Sequence, residues 1–403
     1  MHLHLIESLQ QFLRAHEMNA GSDKLLAWEK AGQELQEAFV RFNHAPAAPA
    51  ALKVDPAPFS IRAIAEATIP NWESVKRGSV KRLHEAMVSS AFPNITGALI
   101  HSRLIDGYAY EVGAIDELVT QDTAIDYPDS RVVGYGAGED LDLVPEGKLY
   151  TDTILTEKNI LVRQAKFGKM IELTREMVLY DKTNQVVGRA RAIGEKMGAH
   201  RAKLIIQTIE MLPRTKLGES TTTLRNFVYD GTAITKAQFY ATTHATVIDK
   251  QVNSNTHTTA LSTAGMNEAY TLLAGMVDED GENITIRPTH VLVHPNNEAT
   301  LDQLLHSQQQ YDAAENALNP YGPGGLRANL RPISSVYIAT NTNWYLGRFS
   351  NQVLWHWGWR PETLAQGAGS DAAFERDVVN RFRVGYMGGC AHQDYRNIIY
   401  GNV

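Results

Sequence analysis

Four histidines come closest, by type and spacing, to a metal site in this chain. His290 and His294 are four residues apart in a stretch of strand-like composition, so their side chains share a face. With His306 or His356 they would offer the imidazole ligands that zinc accepts. The alternative is that these histidines are packed or hydrogen-bonded within the protein. We favour this alternative and expect no metal site.

Cys390 and His392 bring a thiol and an imidazole close together, which is the start of a nucleophilic site. Such a site needs a third group that orients the base, and the sequence offers no signal for one. The glycine-rich segment 134–138 does not lie between a clear strand and a helix, so it favours a flexible loop root over a phosphate cradle. The sequence also lacks the motifs of serine hydrolases, zinc proteases and P-loop NTPases. We expect no enzyme, no catalytic residue and no cofactor.

Trp355, Trp357 and Trp359 alternate, so on a strand they line one face. Exposed, they would be able to stack on sugars or nucleobases. Buried, they would form a core or a contact between subunits, since each aromatic side chain covers roughly 150–250 Å². We favour burial.

An acidic segment near the middle of the chain offers charge pairing rather than catalysis. It contains Glu139, Asp140, Asp142 and Glu146, and basic residues elsewhere are available as partners: Arg327, Arg331, Arg381 and Arg383. The segment is either a solvated loop or one side of an interface between subunits. An exposed pair contributes only about 0–1 kcal/mol, but many weak pairs repeated in a closed assembly act together.

Composition bounds the class of protein. The chain has 403 residues, 43% of them hydrophobic and 21% charged, which is enough for two or three ordinary domains. A net charge of −7 argues against a dedicated nucleic-acid binder. The single cysteine excludes an intrachain disulfide, and neither a signal peptide nor a membrane-length apolar run is present. We expect a soluble intracellular product.

The elements around the acidic segment are a long β-type run and a long helix. The run, residues 151–178, carries apolar and charged side chains on both faces, which is typical of an arm that is covered elsewhere, such as on a neighbouring subunit. The helix is predicted over residues 183–212, about 45 Å long, and ends at Pro213. Its apolar stripe has helical spacing, and Arg201 is among the basic residues that lie mostly off it.

The N-terminal part divides at a linker. Residues 4–17 and 22–43 are predicted to be helical, and the linker 45–58 holds four prolines. The helical unit 1–44 is a hairpin on its own subunit, a clasp on a neighbour or a scaffold-like assembly segment. Residues 60–90 are predicted to be helical, and residues 91–130 mixed, with a turn signal at Phe92-Pro-Asn-Ile-Thr-Gly.

Residues 225–375 alternate between helix and strand patterns, which predicts a domain around a mixed sheet. Helices are expected over 262–278 and from Pro295 onward, with strand pieces in 284–294. Further strands are expected near 335–339, 344–349 and 352–359.

Several segments, in order, resemble the major capsid proteins of tailed phages, which have the Hong Kong 97-type fold. They are Val144-Pro-Glu-Gly147 with its strand pair, Lys169-Met-Ile-Glu-Leu-Thr-Arg-Glu176 with Asp181, Thr289-His-Val-Leu-Val-His-Pro295 with the helix after it, and Phe374-Glu-Arg-Asp377 with Arg381-Phe-Arg383-Val-Gly385 and Tyr400-Gly401. Together they cover roughly residues 90–403. Each motif is short, and it is their order and spacing that make the resemblance specific.

The resemblance implies an α+β fold with a long spine helix, an extended β-hairpin loop, and peripheral and axial domains. The implied division is a helical extension and linker (1–58), an N-terminal arm and helical region (59–130), the extended loop (131–166), the peripheral domain (167–224 and 376–403) and the axial domain (225–375). The extra helical unit at the N-terminus departs from the basic fold. Some relatives crosslink a loop lysine to an asparagine, but Lys148 has no evident partner, and we do not predict that bond.

The resemblance also implies a function: a capsid subunit that self-assembles, as hexamers and pentamers, into an icosahedral phage head around double-stranded DNA. Implied partners are other copies of the chain, portal, scaffolding or decoration proteins, and DNA bound non-specifically, with no membrane; the implied place is the virion, assembled in the host cytoplasm. The loop residues expected to contact a neighbour are Asp142, Pro145, Glu146, Gly147, Lys148 and Tyr150, with Arg381 and Arg383 as partner charges. One alternative is an encapsulin-type compartment that holds enzymes. Another is a metal- or carbohydrate-dependent enzyme or binding module.

Overall fold

A computed structural model gives the structure of the chain. It describes residues 60–69, 72, 92–124, 126–127, 129–135, 157–180, 185–221, 224–229, 231–244, 252–278, 281–310, 318–327, 329–366 and 378–402. Of residues 1–59 it describes only 11, 30, 33–35, 37 and 38, all of them helical. The rest of the predicted N-terminal helices, and the linker 45–58, lie outside the described residues.

The chain divides into two compact units. Unit 1 comprises residues 1–113, 166–200 and 359–386, and unit 2 comprises residues 114–165, 201–358 and 387–403. The described helices are α1 (Ile61–Thr68), α2 (Phe92–Val112), α3 (Arg175–Tyr180), α4 (Gln185–Ile209), α5 (Lys236–Phe239), α6 (Thr263–Ala274) and α7 (Glu298–His306). The described strands are β1 (Thr120–Thr123), β2 (Asp129–Tyr135), β3 (Glu157–Arg163), β4 (Ala165–Thr174), β5 (Val228–Tyr229), β6 (Thr232–Ala233), β7 (Thr256–His257), β8 (His290–Val293), β9 (Arg331–Ser334), β10 (Trp344–Gly347), β11 (Val353–Gln366), β12 (Val378–His392) and β13 (Ile398–Gly401). This mixture of helix and sheet confirms the predicted α+β class.

Helix α1 is much shorter than the helix predicted over residues 60–90. Ser60 caps its start by accepting a hydrogen bond from the backbone N–H of Ala63. The helix ends at Ile69, which is extended (φ −93°, ψ 118°). Ile69 precedes Pro70, and a residue before proline is sterically pushed out of the helical region. The prediction of one continuous helix was therefore wrong at position 69. Trp72 is helical, and the other residues from 70 to 90 lie outside the described residues.

Helix α2 replaces the turn predicted at Phe92-Pro-Asn-Ile-Thr-Gly. It is 21 residues long and begins at Phe92, so Pro93 lies in its first turn. Proline is well tolerated there, because the N–H groups of the first turn have no hydrogen-bond acceptor within the helix. The turn prediction was wrong because the same proline also suits a helix start. Three glycines let α2 and α4 approach closely: Gly107, Gly194 and Gly198, at each of which a Cβ would overlap backbone or side-chain atoms of the facing helix.

Helix α4 confirms the predicted long spine helix, with bounds Gln185–Ile209 instead of 183–212. Its end is a Schellman motif, in which the N–H of Leu212 bonds the carbonyl of Gln207 and the N–H of Met211 bonds that of Thr208. Met211 adopts φ 52°, a left-handed conformation that glycine usually supplies. The helix therefore ends before Pro213 because of this motif.

The β-type run predicted over 151–178 is described from Glu157 onward, where it consists of β3, β4 and the start of α3. β4 ends at Thr174 and Arg175–Tyr180 is α3, so the strand prediction was wrong for its last residues. β3 belongs to a sheet of order β2-β3-β5-β6. The long strands β11 and β12 belong to a sheet of order β1-β11-β12-β4, in which β1 runs parallel to the start of β11.

Unit 2 also contains a five-stranded mixed sheet of order β7-β13-β10-β8-β9. β10 is antiparallel to both of its neighbours, whereas β9 is parallel to β8 and joined to it through α7. Helices α6 and α7 and this sheet enclose one core, whose buried members include Met266, Leu273, Val291, Val293, Leu301, Leu304, Trp344, Leu346 and Ile399. The helix predicted over 262–278 and the helix after Pro295 are confirmed, as Thr263–Ala274 and Glu298–His306.

Two predictions about this sheet need correction. The strand expected at 335–339 lies at Arg331–Ser334, because backbone pairing with β8 begins at His290↔Arg331. The closing strand β13 was grouped with the spine helix, but it pairs with β10 from Trp344↔Gly401 to Gly347↔Ile398. It therefore completes the sheet of the predicted axial domain.

Candidate assembly surfaces

The root of the predicted extended loop is a two-stranded ladder. β2 and β3 are antiparallel from Asp129↔Arg163 to Tyr135↔Glu157. The intervening residues 136–156 lie outside the described residues, and with them Asp142, Pro145, Glu146, Gly147, Lys148 and Tyr150. Because Tyr135 and Glu157 are partners, the intervening segment leaves and re-enters the fold at one place.

The ladder is covered within its own unit, contrary to the expectation for this run. Ile160 and Val162 are buried, and Val162 packs with Leu354 and Ala391, while Val132 is partly buried against the same cluster. The prediction from the mixed faces was wrong because it considered the two strands alone. In the structure, β5 pairs with β3, and Leu354 and Ala391 cover the apolar side chain of Val162. The prediction that a neighbouring subunit covers this run therefore remains only for residues 136–156.

Arg381 and Arg383, the predicted partner charges, lie on β12 in unit 1. Arg381 is paired with Glu172 at 3.1 Å, and its side chain is 22% exposed. Arg383 lies 3.9 Å from Glu362, and both side chains are about half exposed. Exposed pairs of this kind contribute about 0–1 kcal/mol. Arg383, at the longer distance, is therefore the easier of the two to recruit to another carboxylate.

The other two arginines considered for the acidic segment have partners in unit 2. Arg331 lies 2.7 Å from Glu117, and His290 lies 3.4 Å from the same carboxylate oxygen. The hydrogen bonds from Arg331 and then His290 lower the pKa of Glu117. Arg327 packs on the ring of Tyr270, with 4.2 Å from the guanidinium carbon to the ring centroid.

Arg201 is a buried charge that sequence reasoning missed. It was expected mostly off the apolar stripe of α4, yet it is only 1% exposed. Its guanidinium lies 4.8 Å from the ring centroid of Trp355 and 4.7 Å from that of Trp357, and it forms an ion pair with Asp116 at 2.5 Å. The burial predicted for the three tryptophans is confirmed for these two, whereas Trp359 is half-buried. Helical periodicity misplaced the arginine because a guanidinium can be buried against aromatic faces.

Cys390 and His392 are buried and occupied by structural roles. Burial raises the pKa of the Cys390 thiol to about 11, so the nucleophilic thiolate is not formed near neutral pH. Burial lowers the pKa of His392 to about 3. Its Nε2 lies 2.7 Å from the carbonyl oxygen of Thr208 and, as the protonated nitrogen of the neutral ring, donates to it. His392 thus stabilises the end of α4.

Two more side chains satisfy carbonyls at the same helix end. Asn226 Nδ2 donates to the carbonyls of Gln207 and Leu212, at 3.2 and 3.0 Å. The hydroxyl of Tyr240 donates to the carbonyl of Ile209. Since the last carbonyls of a helix have no partner inside it, these contacts fix where α4 ends relative to its surroundings in unit 2.

The histidines considered for zinc do not converge. His294 accepts from the N–H of Asn296, and His306 pairs with Asp302 at 2.8 Å. Within the ranges that the structure describes, no group of three His, Cys, Asp or Glu side chains is placed to hold a metal ion.

Both units expose large apolar side chains, which in soluble proteins mark contact surfaces when they cluster. In unit 1 they are Tyr110, Met170, Tyr180 and Leu364, and in unit 2 they are Tyr127, Val252, Leu318, Leu326 and Val336. Leu318 and Leu326 belong to one loop. A cavity of about 550 Å³ opens on the same unit, between α7 and β9. No helix among the described residues is long and apolar enough to cross a membrane.

One family model matches the chain. The model of a family described as phage capsid protein matches residues 157–401, which is more than half of the 403-residue chain. Comparison with curated proteins finds no match. Among solved structures, the capsid of a native GTA particle is similar, with 11% identity, 72% of this chain and 89% of that chain covered, and a TM-score of 0.46.

Two further solved structures are similar at the same level. The capsid of Ralstonia phage GP4 has 14% identity over 71% of this chain and 87% of that chain, with a TM-score of 0.43. A virus-like particle from Pyrococcus furiosus has 13% identity over 75% of this chain and 97% of that chain, with a TM-score of 0.39.

Proposed function

Because the chain belongs to the phage capsid protein family, we propose that it is the major capsid protein of a tailed phage. Copies of it assemble, as hexamers and pentamers, into an icosahedral head that encloses double-stranded DNA. The observation that carries the proposal is the family match over residues 157–401, which spans β3, the spine helix, the five-stranded sheet and the closing strand.

The role of the buried His392 supports a structural function, because this titratable side chain serves as a hydrogen-bond partner at the end of α4. A net charge of −7 favours loose contact with packaged DNA over tight binding. Shell assembly takes place in the host cytoplasm, and portal, scaffolding or decoration proteins act as further partners.

The loop residues Asp142, Pro145, Glu146, Gly147, Lys148 and Tyr150 contact a neighbouring subunit, with Arg381 and Arg383 as partner charges. The position of the β2–β3 ladder supports this assignment, because the segment that contains these residues is rooted at a single place. The exposed Arg383 supports it as well, since its intrachain partner is 3.9 Å away.

Expression of the chain alone or with its scaffolding partner, followed by negative-stain electron microscopy, tests the proposal. We expect closed shells of uniform diameter, and nuclease-resistant DNA in mature particles. A chain that stays monomeric at all concentrations would refute the capsid function. Shells that hold protein and no DNA would refute the phage head and leave a protein compartment in its place.

A further inference from the structure

The loop 318–327, which we call the Leu326 loop, combines a rigid base with an exposed apolar tip. Leu326 is fully exposed (104%), and Leu318 is 78% exposed. Asn319 Nδ2 holds the base by donating to the carbonyls of Leu304 and Ser307 at the end of α7, at 2.6 and 2.8 Å. An apolar side chain held in water on a rigid base is suited to binding, because little conformational entropy is lost on association.

Packing inside the loop leaves it little freedom. A Cβ at Gly322 would overlap the carbonyl oxygen of Ser307, and a Cβ at Gly325 would overlap that of Pro320. Gly324 has φ +84°, which other residues rarely adopt. The hydroxyl of Tyr321 donates to Asn267 Oδ1 at 2.8 Å, and Arg327 Nη1 donates to the same atom at 2.8 Å. These contacts and the close backbone packing restrict the conformations that the loop can adopt.

The cavity between α7 and β9, which we call the α7–β9 groove, has the complementary character. Its volume of about 550 Å³ falls within the range of sites that accept a small molecule or a few side chains. Apolar residues lie beneath it (Val293, Leu301 and Ile333), but each is at most 5% exposed. The apolar surface that an inserted side chain can reach is therefore mainly that of the exposed Ala299 and Pro332. The rim carries two exposed carboxylates, Glu298 and Asp302.

The edge of β9 disfavours an added strand in this groove. Arg331 and Ser335 use their N–H groups to bond the carbonyls of Thr289 and Val293, so the alternate residues Pro332 and Ser334 face outward. Pro332 has no N–H to offer to another strand, and proline at such an edge position prevents strand pairing. The groove is therefore suited to inserted side chains.

We propose that the α7–β9 groove of one copy of this chain receives the Leu326 loop of a second copy. The net charges agree with this occupant: residues 318–327 contain no acidic residue, and their one arginine, Arg327, packs on Tyr270 of its own copy and leaves the loop positive. The groove rim, by contrast, carries Glu298 and Asp302. The loop is anchored at the C-terminal end of α7 and the groove is lined by the N-terminal half, so they are different surfaces. Contact between different surfaces of identical copies is head-to-tail, and it generates rings when the rotation closes.

The inference rests on the proposed capsid function, since a shell of pentamers and hexamers requires such rings. Disulfide trapping tests it in assembled particles, with Leu326→Cys and Ala299→Cys made singly and together. Ala299 is exposed at the groove. The single native cysteine, Cys390, is 1% exposed and will not contribute a background.

After mild oxidation, the double variant should give a ladder that reaches pentamer and hexamer on a non-reducing gel, while both single variants run as monomers. Dimers from Leu326→Cys alone would overturn the proposal, because they would mean that the loops meet each other. Normal shells without a ladder in the double variant would also overturn it, and would leave the capsid function standing. A wild-type chain that forms no shells would refute the capsid function and the contact together.

Two variants of opposite charge at the same position provide a second test that does not depend on crosslinking. Leu326→Glu and Leu326→Lys remove the same apolar side chain from an exposed position, so neither should affect folding. The acidic rim should make Leu326→Glu raise the critical concentration of assembly about tenfold more than Leu326→Lys. Adding Asp302→Lys leaves the rim with one negative and one positive charge, so it should remove most of that difference. Equal effects of the two substitutions on the unchanged rim would overturn the proposal.

Discussion

Gly194 on α4 faces the backbone carbonyl of Leu104 on α2 so closely that a Cβ at Gly194 would overlap that oxygen. We expect Gly194→Ala to destabilise the subunit by about 1–3 kcal/mol, since overpacking forces neighbouring backbone to move. Urea unfolding followed by circular dichroism measures the change.

Gly188 provides the control on the same helix, because nothing lies within 4 Å of a Cβ built there. Gly188→Ala should stabilise the subunit by about 0.5–1 kcal/mol, the helical preference of alanine over glycine. If both substitutions changed stability in the same direction, the close approach of α2 and α4 would be wrong.

The sequence predicted the parts of the fold that depend on periodicity. The spacing of Met197, Leu204 and Ile205 predicted α4, and all three side chains are buried. The sequence did not predict α2, because Pro93 and Gly97 are common in turns as well as near helix starts. What decided between the two was packing: Gly107 on α2 meets the backbone of α4, a long-range contact that no local pattern contains.

The proposed assembly contacts follow less directly from the sequence than the fold does. Arg383 was chosen for its charge, and its exposed position agrees with the choice. Leu326 was not singled out, since an exposed leucine and a buried one look alike in a glycine- and proline-rich loop. The exposure of Leu326 depends on how the base of the loop is held. Asn319 holds it by a hydrogen bond to the carbonyl of Leu304 on α7, a contact that the sequence of the loop does not contain.

Arg201 should be one of the most sensitive positions in unit 2. Arg201→Ala removes a guanidinium packed on two tryptophans and leaves Asp116 without its ion-pair partner. We expect a loss of about 2–4 kcal/mol, mainly from the cation–π contacts and the packing, because Asp116 is 36% exposed and remains solvated without its partner. Arg189→Ala, at an exposed position of the same helix, should change stability by less than about 0.5 kcal/mol. A shift in the urea midpoint of equal size in both variants would contradict the buried role of Arg201.

His392 should make the subunit sensitive to mild acid. Burial lowers its pKa to about 3 in the folded state, against about 6.5 in the unfolded chain. A lowered pKa means that stability is full above pH 6.5 and falls as the pH drops, because only the unfolded chain takes up the proton. Between pH 7 and pH 5 the loss from this one group is about 2 kcal/mol.

His392→Gln keeps an N–H donor for the carbonyl of Thr208 but cannot titrate. The difference in unfolding free energy between pH 7 and pH 5 should therefore shrink by about 2 kcal/mol in this variant. An unchanged pH dependence would show that His392 is accessible to protons in the folded state.

Deleting residues 139–153 should separate folding from assembly. Three residues after Tyr135 and three before Glu157 remain, enough to connect two strands that are already partners. We expect a soluble subunit with wild-type circular dichroism that forms no shells by electron microscopy. Normal shells from this deletion would show that the segment does not hold neighbouring subunits together.

Arg383 should matter for assembly and hardly at all for folding. Its pair with Glu362 is long, at 3.9 Å, and half exposed, so Arg383→Glu should change the unfolding free energy by less than about 1 kcal/mol. In a shell, the same substitution would place a negative charge against the acidic segment of a neighbour, and light scattering should show slower assembly with a higher critical concentration. Arg189→Glu, an equal charge change at an exposed site on α4, should assemble normally. Glu146→Arg in the same chain as Arg383→Glu should restore assembly if the two residues meet across the interface, and a double variant that assembles no better than Arg383→Glu would assign Glu146 another partner.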